Sequence, residues 1–154
     1  MQFIATLEWK RNGQDFSGQR YSRAHTWRFD GGAIVPASSS PLSVPLPMSD
    51  AAAVDPEEAL VAATSSCHML FFLSIAAKRG HTVDSYTDHA VGTLGKNAQG
   101  KLAMIRVTLR PAIVFSGTAP PAEDELHAIH HQAHEHCYIA NSLNCEVLVE
   151  APAL

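Results

Sequence analysis

The sequence predicts an α+β fold with a mainly antiparallel sheet. Three observations carry this: apolar residues alternate with polar ones in several short runs, two longer runs have helical signals, and the order is strands, helix, strands, helix, strand. The 154 residues suit one compact domain, 1–154, with no internal repeat or low-complexity tract, and 46% hydrophobic against 17% charged residues is a globular balance.

"FIATLEWK" (3–10) alternates, with Phe3, Ala5, Leu7 and Trp9 on one side and Thr6, Glu8 and Lys10 on the other, as in a strand with one buried face. Asn12-Gly13 marks a reversal, and "QRYSRAHTWRF" (19–29) returns as a second strand ending in the Asp30-Gly31-Gly32 turn. Residues 31–55, rich in Pro and Ser, read as one long loop able to line or cover a site.

"DPEEALVAATSSCHMLFFLSIAAKRG" (55–80) is a helix with both ends marked. Asp55 is placed as N-cap, Pro56 as first helical residue, and Glu58 completes a capping box. Gly80 ends it behind Lys78 and Arg79. At about 24 residues it runs roughly 36 Å, apolar almost all round, so it reads as a buried helix. Strands follow around Tyr86–Leu94 and Leu102–Phe115, joined by "GKNAQG"; Ile105, Val107, Leu109, Ile113 and Phe115 share a face opposite Arg106, Thr108 and Arg110. "PPAEDELHAIHHQAHEHC" (120–137) is a second helix led by prolines and acids. "SLNCEVLVE" (142–150) is the last strand, with Leu143, Cys145, Val147 and Val149 on one face.

A net charge of −4 with scattered lysines and arginines offers no footprint for nucleic acid. Residues 59–77 come nearest to a membrane span, but Thr64-Ser65-Ser66-Cys67-His68 interrupt them, so no membrane partner is expected. Three widely spaced cysteines, without a signal-peptide pattern at the N-terminus, point to a reducing cytoplasm.

Cys67 stands among four polar neighbours on a segment that otherwise avoids them, as befits an internal thiol meant to react. Mid-helix it gains little from the helix dipole, so stabilising its thiolate needs a nearby cation; Arg20, Arg23 and His68 are the choices open. Cys137 ends the second helix beside His136, and its pairing with a thiol seventy residues away is a tertiary matter. Cys145 reads as core. His127, His131 and His134 fall at i, i+4 and i+7, flanked by His130 and His136; such spacing suits zinc, with Cys137 as a further ligand, or a solvated helix face. We assign no metal and no cofactor. Glu57 suits a helix start, and ten residues put it about 15 Å from Cys67 along one helix. Any role for it at that thiol requires a second subunit.

"DPEEALVAATSSCHM", with "AHEHCYIANSLNCEV" some seventy residues later, resembles the OsmC/Ohr family of osmotically inducible and organic hydroperoxide resistance proteins. The resemblance implies an intertwined homodimer in which antiparallel sheets wrap two central helices, with sites at the interface. It implies a thiol peroxidase that reduces alkyl or fatty-acid hydroperoxides. In it Cys67 is the peroxidatic thiol, Cys137 the resolving thiol, Arg23 (Arg20 as fallback) the arginine at the thiolate, and Glu57 its carboxylate partner. It further implies an external dithiol reductant, such as a lipoylated protein. Two departures mark a distinct branch: Tyr138 follows the second cysteine where Pro is common, and His68 follows the first where apolar or aromatic residues are usual. The competing readings are a metal-binding protein or metal-dependent hydrolase on His127–His136, and a non-catalytic binder of an apolar small molecule.

Overall fold

A computed structural model describes residues 1–117 and 120–150. It is a mixed α+β fold of two helices and mostly antiparallel sheets, in two compact units, 1–59 and 60–154, divided within the first turn of the long helix.

In the first unit, β1 (Ala5–Glu8), β2 (His25–Phe29) and β3 (Ile34–Ala37) form an antiparallel sheet in that order, with Leu7 opposite Trp27 and Trp27 opposite Val35. Two expectations change here. The second strand begins at His25 instead of Gln19, because residues 16–20 close a turn with Gln19 at φ +57°. Residues 31–55 are not one loop. Gly32, at φ +89°, reverses the chain, and the β-branched pair Ile34-Val35 opens β3. Pro36 is tolerated there because β3 is an edge strand. The apolar side of β1 is present but uncovered, with Phe3 88% and Leu7 63% exposed, so its predicted burial is not met within one chain.

Helix α1 (Pro56–Lys78) has the predicted ends. Asp55 Oδ1 accepts the Glu58 N–H at 2.8 Å and Glu58 Oε2 accepts the Asp55 N–H at 3.2 Å, a reciprocal capping box. Gly80, at φ +84°, lets its own N–H and that of His81 turn back to the Ala77 and Ala76 carbonyls. α1 is long and apolar enough to cross a membrane by length and composition alone. Its polar block is nonetheless tied to protein: Thr64 donates to the Leu60 carbonyl, Ser65 to Asp88, and His68 pairs with a second histidine. It is not buried all round. Thr64, His68, Phe72, Ile75 and Ala76 form one buried stripe, while Leu70 is 61% exposed.

The second unit continues with β4 (Thr82–Asp88), β5 (Val91–Lys96), β6 (Leu102–Leu109), β7 (Pro111–Ser116), α2 (Glu123–His136), a short 3-10 turn (Ala140–Ser142) and β8 (Glu146–Val149). The two strands expected around 86–94 and 102–115 are each broken in two. Asp88 Oδ1 accepts the Arg110 N–H, replacing a ladder bond where the hairpin switches sheets, and Pro111 starts β7. β4 then pairs with β7, and β5 with β6, whose other edge takes β8 in parallel. With neighbours on both edges, β6 buries Val107, Thr108 and Leu109 together, so the predicted one-sided face is not kept. Phe72, Ile75 and Ala76 of α1 pack on Leu126, Ile129 and Ala133 of α2, with Val83, Tyr86, Ile113 and Phe115 of the β4–β7 pair against them.

Candidate active site

α1 holds Cys67 half-buried, one residue before the buried stripe at His68. α2 ends at Cys137, which leaves helical geometry at ψ 106° and is 1% exposed. Cys67 lies near enough to Cys137 to act on its thiol, and all three cysteines are free. Burial pushes the Cys137 thiol up to about 11; the Ala140 and Ile139 amides pull against that, Ala140 N–H lying 3.4 Å from Sγ. The turn carrying these amides is fastened by Asn141, whose side chain donates to the Glu135 carbonyl at 2.8 Å. One turn beyond Cys67, Phe71 meets Tyr138 edge-on at 5.2 Å and His136 at 6.0 Å, flanking the thiols with aromatic rings. Cys145 lies just outside β8, half-buried.

The arginines differ in their commitments. Arg20 is ion-paired with Asp15, and its side chain is 76% exposed. Arg23 has no carboxylate partner among the described residues. Its guanidinium stacks 3.7 Å from the centroid of the Tyr21 ring and donates to the Gln19 and Tyr21 carbonyls. It lines a cavity of about 540 Å³ with Leu7, Trp9, Phe16, Tyr21 and His25. Glu57 sits half-buried in the first turn of α1, and among the described residues no ion pair joins it to Arg23.

The histidine cluster divides. His127 and His131 are 69% and 75% exposed and face Glu123 and Glu135 at 3.9 and 3.6 Å, a solvated helix face. Among the described residues no three His, Cys, Asp or Glu side chains converge as a metal site. His130 belongs to the opposite, buried stripe of α2, where its Nδ1 lies 3.1 Å from His68 Nε2. Sequence reasoning missed this pair. The signal was available: Leu126, Ile129, His130 and Ala133 have core spacing, so His130 is an interior residue and not a member of the 127/131/134 face.

Residues 49–151 match the family model described as OsmC-like protein. The chain is similar to an OsmC-like protein of unknown function from Vibrio cholerae O1 biovar eltor, at 56% identity and TM-score 0.96 over 99% of each chain. It shares its fold with an organic hydroperoxide resistance protein OsmC from Legionella pneumophila (16% identity, TM-score 0.67, 98% of this chain and 95% of that one). It likewise resembles the organic hydroperoxide resistance protein OhrB of Bacillus subtilis (17%, 0.66, 99% and 98%). Among curated proteins, none matches the chain.

Proposed function

The chain belongs to the OsmC-like family, and from that premise we propose that it is a cysteine-based peroxidase that reduces organic hydroperoxides to alcohols. The observation that carries the reading is the nearness of two free thiols of unequal exposure, Cys67 half-buried and Cys137 sealed. The accessible thiol attacks first. The Cys67 thiolate takes the distal peroxide oxygen, the O–O bond breaks, the alkoxide leaves as alcohol with one proton, and Cys67 becomes a sulfenic acid. Cys137 then attacks the Cys67 sulfur. Its S–H proton leaves with the hydroxyl as water, and a Cys67–Cys137 disulfide forms. The Ala140 and Ile139 amides favour the developing Cys137 thiolate, offsetting part of its burial.

An external dithiol, such as a lipoylated protein, restores both thiols by exchange and becomes a disulfide itself. Arg23 is the arginine assigned to the Cys67 thiolate, supported by a guanidinium without a carboxylate partner among the described residues, whereas Arg20 is engaged by Asp15. The reading includes a homodimer in the cytoplasm: uncovered apolar surface on β1 and α1 calls for a partner, and Glu57 needs a second subunit to serve the site. The aromatic flank of the thiols favours bulky organic peroxides over hydrogen peroxide.

Intact and peptide mass spectrometry of reduced protein, with and without one equivalent of an alkyl hydroperoxide, tests this. A rapid Cys67–Cys137 disulfide is expected; unchanged thiols, or Cys67 overoxidised without a bridge, would overturn the mechanism. The cavity of about 540 Å³ beside Trp9 and Phe16 supports a second reading, an apolar-ligand binder without catalysis. In that case Cys67→Ser would bind the ligand as tightly as the unaltered protein.

A further inference from the structure

The buried stripes of α1 and α2 that face one another are apolar except for Thr64, whose hydroxyl is satisfied by the Leu60 carbonyl, and one rung of two histidines. Thr64, His68, Phe72 and Ile75 line one, and Leu126, Ile129, His130 and Ala133 the other. At that rung the two imidazoles are nearly coplanar, their planes 6° apart, and His130 packs on Phe72 at 4.5 Å. They are 1% and 5% exposed, and His68 Nδ1 and His130 Nε2 are buried without a partner among the described residues. Two leucines would fill the space without stranding two polar atoms. What imidazoles add is direction, because a hydrogen bond weakens steeply with angle whereas apolar contact tolerates sliding and rotation.

The location gives that direction a use. His68 is the residue after Cys67, and His130 stands on the helix that ends at Cys137. A rotation of α1 by about 10° moves an atom about 5 Å from its axis by about 1 Å. A shift of that size is enough to misalign two neighbouring thiols. We infer that His68 and His130 are a positioning pair whose hydrogen bond fixes the rotation of α1 against α2, and so holds Cys67 facing Cys137 for disulfide closure. The pair acts through the two helices that carry it, as a positioning pair and not a catalytic one. The inference rests on the two-thiol reading, and it assigns the pair to closure and not to the first attack.

The test separates these steps. His68→Leu/His130→Leu keeps apolar packing and removes the bond. His68→Gln/His130→Asn restores a neutral hydrogen bond, placing amide groups near the positions of Nε2 and Nδ1. Rapid mixing with an alkyl hydroperoxide gives the second-order formation of the Cys67 sulfenic acid and the first-order closure that follows. In the leucine pair closure is expected to slow by about tenfold or more while the first step changes by less than about twofold, and the amide pair recovers most of the closure rate. Closure at the unaltered rate in the leucine pair, or an equal loss in both steps, overturns the assignment.

The equilibrium of the Cys67–Cys137 disulfide against a glutathione redox buffer supplies a peroxide-free readout. The leucine pair is expected to lower the effective concentration of one thiol at the other by about tenfold, with recovery in the amide pair. If peroxide fails to bridge the unaltered protein but this shift is seen, the functional reading fails and the positioning role stands. If the bridge forms and the shift is absent, the positioning role fails alone. Should the leucine pair not fold, the amide pair beside the single variant His130→Leu carries the same comparison, and equal closure in both overturns the inference.

Discussion

Acidifying the folded protein from pH 7 to about pH 5 is expected to cost on the order of 4 kcal/mol of stability through two side chains, His68 and His130. Burial is the main cause, lowering both from 6.5 to about 4; nearby His134 acts on His68 and each histidine's positive neighbours add to the effect, while Asp88 opposes it at His68. The imidazoles of the unfolded chain take up protons below about 6.5, and those of the folded chain only near 4. Between these values the unfolded state holds more protons, so stability falls as the pH falls. Above the window neither state is charged and the pair contributes no pH dependence; below it the loss is complete. At pH 5 each group is about 1.5 units below its unfolded value, which is about 2 kcal/mol apiece.

Urea unfolding followed by Trp9 and Trp27 fluorescence, at fixed protein concentration, reads this as a midpoint lower by about 2 M if the slope is about 2 kcal/mol per M. The remaining histidines contribute to the raw pH dependence, so the control is His68→Gln/His130→Asn, whose amides do not titrate. Its midpoint should change much less over the same interval. An equal change in both proteins would refute the argument that the buried imidazoles carry the acid sensitivity.

Cys137→Ser should let a Cys67 sulfenic acid accumulate after one equivalent of peroxide, trapped as a dimedone adduct that is scarce in the unaltered protein; a Cys67–Cys145 bridge in its place would show that Cys145 can resolve. Asp55→Ala removes the carboxylate that caps α1 and should cost about 1 kcal/mol in urea unfolding. Gly92→Ala should destabilise by about 1–3 kcal/mol, because the new methyl would meet the Val61 side chain and Met104 at less than 3 Å. Retained stability at Gly92 would mean that the approach of β5 to α1 has slack.

The ends of α1 were legible because their causes are local. Asp55, Glu58 and Gly80 act on backbone groups within four or five residues, as the structure shows, and Pro56 is the first helical residue. α2 was legible for the same reason, from its leading acids and its spacing. Strand β3 was missed because its neighbours are rich in Pro and Ser, and only pairing with β2 makes Ile34–Ala37 extended. The break in the long hairpin depends on Asp88 capturing an amide twenty-two residues away, and no window of sequence contains both.

At the candidate site, sequence singled out both thiols by residue type and setting and put Arg23 ahead of Arg20; in the structure Arg20 is ion-paired with Asp15. By itself, then, the sequence determined whatever is decided by neighbours along the chain: helix ends, turn positions and the residue types able to do redox chemistry. Tertiary structure alone decided which thiol is sealed, that Cys67 and Cys137 are neighbours, and that two histidines sixty-two residues apart share one hydrogen bond. These depend on how two helices are rotated against each other, a quantity set by packing across the core and encoded at no single position.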